Sequence, residues 1–245
     1  MTIQLRNVAR LLAIGSTALF AVACGSDGNN APPPPPPPPA MVSFDVTVTN
    51  LTNSQPLSPV AVIAHQDAFN VFAIGSPATV GLETLAEGGD NSALIAEANA
   101  GTGIGDTASG AAAIGPAGSE TVSVSFEETS LANMTLSVST MLVNTNDAIT
   151  GVNAVPLANL AVGDNMTLHT IAYDAGTEAN TEAAAHIPGP AGGGEGFNAA
   201  RDDRADRVST HSGVVGQDDG FATSDLNGQH RFDNPVAMVR IERVN

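Results

Sequence analysis

The chain has 245 residues and a formal net charge of −17, and because it contains no lysine, its eight cationic side chains are all arginines. Such an acidic surface repels nucleic acid and anionic lipid head groups, so neither is expected as an electrostatic partner. Cys24 is the only cysteine, which excludes a disulfide within the chain. The length suffices for one full-sized domain with appendages.

Residues 1–23 have the pattern of a lipoprotein signal peptide. Arg6 and Arg10 precede an apolar run at 11–22 that is too short to cross a membrane stably. The run ends in Ala21-Val22-Ala23-Cys24, which resembles a lipobox and predicts Cys24 as a lipidated mature N-terminus. The alternative is an ordinary signal-peptidase site next to a free cysteine. Either version places the protein in a bacterial cell envelope, as an outer-membrane lipoprotein or as a surface-exposed or secreted protein.

Residues 24–42 are predicted to be a linker behind the lipidated N-terminus. Small polar residues at 25–30 are followed by eight consecutive prolines at 32–39. An unbroken proline tract forms a stiff polyproline II rod of about 3.1 Å per residue. We interpret it as a spacer that holds a domain away from a membrane; the alternative is a ligand for a proline-binding module.

From residue 43 onward the sequence alternates between apolar and polar residues, which indicates half-buried antiparallel strands. The alternation is clear near residues 44–48, 122–126, 134–143, 166–172 and 237–241. Two short helices are predicted at 79–86 and 92–98, the second capped by Asp90. Glycine-rich segments at 101–118 and 186–200 are predicted to be loops. The fold class is therefore all-β, an antiparallel β-sandwich with short helical insertions, occupying residues 43–245.

Two acidic loops close strand-like runs and could form one oxygen-rich site. The first is Asn144-Thr145-Asn146-Asp147, and the second contains Tyr173-Asp174-Ala175-Gly176-Thr177-Glu178. Carboxylates on either side of a glycine can be folded toward one point, and such a site suits a hard cation such as Ca²⁺. The alternative is that both segments are ordinary Asx-type turns at strand ends.

Several stretches resemble the spondin N-terminal domain family, and the resemblance covers residues 43–245. The matching stretches in chain order are Val46-Thr47-Val48-Thr49-Asn50-Leu51-Thr52, Gln55-Pro56-Leu57-Ser58-Pro59, Ala64-His65, residues 136–143 with Asn146-Asp147, Gly151-Val152-Asn153, Tyr173 to Glu178, and the closing strand 235–244. The resemblance implies an antiparallel sandwich that serves adhesion or ligand recognition. Animal members bind calcium in these loops, which implies Asp147, Asp174 and Glu178 as metal ligands here.

The resulting hypothesis is an envelope-anchored, non-enzymatic binding or adhesion module that binds calcium. Asn153, Asn180 and Glu182 are candidate ligand contacts, and the partner would be an extracellular or envelope protein or glycan. No catalytic residue is assigned, since the sequence has no GxSxG, HExxH or Walker motif. Two alternatives stay open: an extracellular hydrolase that uses Asp174 and Glu178 as paired carboxylates, and a purely structural envelope lipoprotein.

Overall fold

A computed structural model describes residues 35–66, 69–200 and 205–245. The predicted signal peptide, Cys24 and most of the proline-rich linker lie outside the described residues. The folded unit comprises Pro38–Asn245. Within the described ranges, no helix combines the length and the apolar character that crossing a bilayer requires.

The described residues form ten strands and two α-helices. In chain order they are β1 (Met41–Asn50), β2 (Ala61–His65), α1 (Val80–Gly88), α2 (Ser92–Ala100), β3 (Ile104–Ser109), β4 (Ser119–Glu127), β5 (Thr135–Met141), β6 (Ala148–Pro156), β7 (Asn165–Thr170), β8 (Ala172–Asp174), β9 (Ser209–Thr210) and β10 (Ala237–Arg243). The strands build two antiparallel sheets, so the predicted all-β sandwich is confirmed.

The four-stranded sheet has the order β4-β1-β10-β7 and explains the strict alternation of its sequences. In β1, Phe44, Val46 and Val48 point into the sandwich and are buried, while Thr47 faces outward and bonds Thr121 of β4 at 2.8 Å. Only one face of this sheet contacts the core, because the other face carries Ser, Thr and charged side chains.

The six-stranded sheet has the order β3-β2-β5-β6-β8-β9, and its central strands β2 and β5 are buried along their whole length. One face packs against the four-stranded sheet, where the main core includes Val62, Leu136 and Val138. The other face is covered by α1 and α2 in a second core that includes Ile63, Leu82, Leu85, Leu94 and Ile149. Burial on both faces explains why β2 reads as a continuous apolar run.

Both predicted helices are confirmed, and their caps are local. The Thr79 hydroxyl accepts a hydrogen bond from Leu82 N–H, and Gly89 ends α1 in the left-handed conformation at φ +70°. Asp90 accepts the N–H of Ser92 at 2.9 Å and so satisfies a free donor at the start of α2, but it does so from one residue before the cap position, which is occupied by Asn91.

Two predictions about secondary structure, for the segments 101–118 and 166–172, were wrong in detail. The segment 101–118 is not all loop, because it contains β3, an edge strand with no clear alternation of apolar residues. The run 166–172 is not one strand, since the chain leaves the four-stranded sheet after β7 and enters the other sheet at β8. The predicted loop at 186–200 contains no strand and no α-helix. The 3₁₀ turn Ala184–His186 overlaps its first residue.

Side-chain hydrogen bonds place the loop before β6 at the Asn50 end of β1, opposite the Met41 end. The Asn50 amide donates to the backbone oxygens of Gln55 and Ile114, at 2.7 and 2.9 Å. The Gln55 amide in turn donates to the backbone oxygen of Asn144 at 3.3 Å, and its Oε1 accepts the Asn144 N–H. These bonds fix the end of the sandwich on which the acidic loops lie.

Candidate functional site

The two acidic loops predicted from the sequence meet at one end of the six-stranded sheet. β6 begins directly after Asp147, β8 ends at Asp174, and the two strands are antiparallel neighbours with Ala148 opposite Asp174. Asp147 is also held from the far loop, since its backbone oxygen accepts the N–H of Ala175 at 3.2 Å. Antiparallel pairing therefore brings the two carboxylates together from positions 27 residues apart in sequence.

Asp147 is fully buried, with 0% of its surface exposed. Its Oδ2 accepts two backbone N–H groups, from Thr177 at 2.9 Å and Glu178 at 3.2 Å. Its Oδ1 is buried and has no hydrogen-bond partner among the described residues. The pKa of the Asp147 carboxyl is raised to about 8: burial is the main cause, the charges of Asp174 and Glu178 add to the rise, and the two N–H bonds oppose it. The buried Asp147 Oδ1, which has no hydrogen-bond partner among the described residues, lies near the charges of Asp174 and Glu178. A cation at this oxygen would be stabilised by all three carboxylates.

Asp174 is half-buried and forms the Asx turn that was the alternative interpretation of this loop. Its Oδ1 accepts the N–H of Gly176 two residues on at 2.8 Å, and its Oδ2 accepts a hydrogen bond from the Asn180 side chain. Two features of position 176 require a glycine. Its φ is +77°, and a Cβ there would lie 2.4 Å from the backbone oxygen of Arg207. Two further lone pairs of the Asp174 carboxylate stay available to a ligand.

Glu178 is buried and lies next to a polar chain of side chains. His186 Nδ1 is 3.5 Å from Glu178 Oε1 and 3.3 Å from the Thr181 hydroxyl. The Asn146 amide donates to that hydroxyl at 3.3 Å, and its oxygen accepts the N–H of Glu182 at 3.1 Å. These contacts join the loop before β6 to the segment after β8.

Of the three predicted ligand contacts, only Asn180 is exposed next to the two carboxylates. Glu182 is 7% exposed, and both of its carboxylate oxygens accept hydrogen bonds from within the chain, which favours a structural role. Asn153 lies five residues beyond Ala148 on β6, where its oxygen accepts the N–H of Val71 and its amide donates to the backbone oxygen of Phe72. The structure does not bring Asn153 to the acidic loops.

His211 belongs to this neighbourhood and was missed by the sequence analysis. Its Nδ1 accepts the N–H of Gly213 at 2.9 Å, and its buried Nε2 has no hydrogen-bond partner among the described residues. Burial lowers the pKa of His211, while the charges of Asp174 and Glu182 act in the opposite direction. No sequence signal marked this residue, because its segment reaches the site through tertiary contacts, among them the pairing of β8 with β9 and the bond from the His211 N–H to the Ala172 oxygen.

A cavity of about 580 Å³ opens beside the acidic loops. Its lining residues include Asp174, Glu178, Asn180, Thr181, His186, Phe221 and Thr223. The volume lies in the range typical of small-molecule sites. Phe221 and Thr223 come from a segment about 40 residues further along the chain, and the sequence analysis did not connect it with the acidic loops.

The residues around Asp147 fit a hard cation in charge and in ligand type, but they do not form a complete metal cage. In the part of the chain that the structure describes, no group of three or more His, Cys, Asp and Glu side chains is arranged to hold a metal ion. Calcium takes six to eight oxygens and accepts carbonyl, amide and water ligands beside carboxylates. The free Oδ1 of Asp147 could supply the first of them.

Comparison with protein families identifies a match to this chain. The Spondin_N family model matches residues 50–187, which is more than half of the chain and includes Asp147, Asp174 and Glu178. A comparison with curated proteins finds no match.

Proposed function

The chain belongs to the spondin N-terminal domain family, and from this premise we propose that it is a non-enzymatic, calcium-dependent adhesion or ligand-binding module, displayed outside a bacterial cell on a lipid anchor at Cys24. Family membership supports an extracellular binding role. The anchor follows from the lipobox-like run before Cys24, and the prolines at 32–39 act as the spacer. The partner is an extracellular or envelope protein or glycan.

The observation that carries the calcium proposal is the Asp147 carboxylate. A buried carboxylate with a free oxygen is costly unless a cation or a proton neutralises it. Asp147 would bind the ion through Oδ1, Asp174 would supply the second carboxylate, and Glu178 would contribute a third negative charge. Bound calcium would thereby tie β6 to the loop after β8 and fix the shape of the binding surface.

A melting experiment tests this proposal. Calcium that binds only the folded state stabilises it, by about 1.4–2.7 kcal/mol at ten to a hundred times Kd. We expect about 10 mM Ca²⁺ to raise Tm by roughly 3–10 °C relative to excess chelator. Asp147→Asn should abolish the shift, because it keeps the shape of the side chain and removes its charge.

Glu127→Gln is the matched control, since Glu127 is exposed on β4 in the other sheet. It should keep the calcium-dependent shift in full. Identical melting curves of the wild-type protein in calcium and in chelator would reject the calcium site.

The hydrolase alternative is tested separately, with a panel of fluorogenic glycans and peptides. Turnover abolished by Asp174→Asn or Glu178→Gln would replace the binding module with an enzyme. Recovery of one partner from native envelope and medium, lost on adding a chelator, would support the binding module.

A further inference from the structure

We infer that the cavity beside the acidic loops is a recognition pocket for a lysine side chain presented by a partner protein. The inference rests on the proposed binding function and names the chemistry of its partner. The residues that line the 580 Å³ cavity are partly acidic and partly apolar.

The lining of the cavity includes two acidic side chains, one of which is held in place by hydrogen bonds. Asp174 and Glu178 both line it, and Asp174 is fixed by its bonds to Gly176 and Asn180. The described lining residues include no Lys or Arg side chain, so within that set His186 is the only basic group. One Ca²⁺ at the site would still leave the three carboxylates with a net charge of −1. A single ammonium group would complement that charge.

The walls suit the aliphatic part of a lysine side chain. Ala179, Ala183 and the Phe221 ring face the same space, and Phe221 is half-buried. A lysine side chain joins four methylene groups to a compact ammonium head, so it can bury its stem against apolar walls while its head reaches an acid. A cation over the face of an aromatic ring is further stabilised by the ring's quadrupole.

The composition of the chain favours a partner other than a second copy. The chain has no lysine, so no copy of it can offer a lysine side chain to its neighbour. Residues 24–200 carry only negative formal charges, which adds long-range repulsion between copies and attraction for a basic partner. Charge complementarity thus selects a basic protein over self-association.

The test is a calorimetric titration of the full-length chain in calcium with N-acetyl-lysine methylamide and with the uncharged analogue N-acetyl-norleucine methylamide. We expect binding of the lysine analogue alone. Phe221→Ala should weaken it about two- to thirtyfold, Ala183→Phe should fill the cavity and abolish it, and Glu127→Gln should leave it unchanged. Tm is measured for each variant, so that loss of binding is separated from loss of fold.

Equal binding of both analogues, or no binding of either, would overturn the inference. Tighter binding of a free diamine than of a lysine-containing peptide would also overturn it. So would binding that appears only in the double variant Arg201→Ala/Arg204→Ala. The last would mean that a guanidinium of the chain fills the cavity; both arginines lie outside the described residues, next to the lining residue Ala205. The calcium-dependent Tm shift is scored in parallel. If that shift persists while lysine binding fails, the pocket is rejected and the proposed function stands.

Discussion

Asp147 links the fold to pH. Its carboxyl has a pKa of about 8 in the folded chain, against an ordinary value of 3.8. Because the folded pKa is raised, the stability that protonated Asp147 contributes is fully present below about pH 4 and is lost as the pH rises through 8. The folded state without calcium should therefore be penalised most strongly at alkaline pH.

We predict that Asp147→Asn, measured in chelator, becomes progressively more stable than the wild-type protein between pH 5 and pH 8. The relative gain should reach at most about 1.4 kcal/mol per pH unit, the limit for one proton. Urea unfolding at pH 5, 6.5 and 8 measures it. Parallel pH profiles of the two proteins would show that Asp147 ionises normally.

Gly176 is the residue at which backbone conformation most directly shapes the site. We predict that Gly176→Ala destabilises the fold by more than the roughly 1–2 kcal/mol that a left-handed φ costs an L residue, because its Cβ would also collide with the backbone of Arg207. Gly193→Ala is the matched control, since Gly193 has φ +68° with open space around it. Equal losses in the two variants, by chemical denaturation, would contradict the steric part of the argument.

The sequence analysis predicted Asp147, Asp174 and Glu178 because they lie in the acidic loops that follow two strand-like runs and in stretches that resemble the spondin family. It could not find their burial, nor the free Oδ1 of Asp147, since both depend on how the loop after β8 folds back over β6. Asn153 shows that closeness in sequence does not ensure closeness in the structure. It is near Asp147 in sequence, yet it lies five residues along β6 from Ala148, where its side chain bonds Val71 and Phe72.

At the scale of elements, the site depends on irregular segments held by Glu182. Its Oε1 accepts the N–H of Val215 at 2.7 Å, and its Oε2 accepts the N–H of Gly216 at 2.9 Å and the Ser224 hydroxyl at 2.6 Å. Beside it, Ile187, Val214 and Leu226 form a small third core. One carboxylate thus fastens the segment after β8 to the segment that carries Phe221.

We predict that Glu182→Ala destabilises the protein by about 2–4 kcal/mol, because it leaves buried N–H groups without acceptors. Ser224→Ala, which removes one of the three bonds, should cost about 1 kcal/mol. Hydrogen exchange should show lost protection at Val215 and Gly216. Unchanged exchange at these two amides would refute the role of Glu182.

Among the elements predicted from alternation, β1, β4, β7 and β10 have only one face in the core. β5 also alternates in sequence, although its polar residues Ser137 and Ser139 are buried on the face opposite the main core. β3 escaped prediction because it is an edge strand whose mostly half-buried residues alternate weakly. The break between β7 and β8 was equally invisible, since Ile171 continues the apolar pattern while the chain passes from one sheet to the other.

At the scale of the whole molecule, the anchor decides where the site works. We predict that Cys24 carries lipid, so that a fatty-acid analogue labels the wild-type protein and Cys24→Ser loses both label and membrane association. Retention of label by Cys24→Ser would exclude this cysteine as the anchor. Release of Cys24→Ser to the medium, with its calcium-dependent melting intact, would separate anchoring from folding.

The position of β1 has a mechanical consequence for a tethered adhesin. β1 is bonded on both sides, to β4 and to β10, and the acidic loops lie at its Asn50 end, opposite Met41. Tension between an N-terminal anchor and a ligand held at those loops would run lengthwise along β1. Because ladder hydrogen bonds lie across the strands, such a pull loads two complete rows in shear at once instead of unzipping them one by one. If the chain is anchored and binds its partner as proposed, the sandwich would therefore resist unfolding along the direction of that pull.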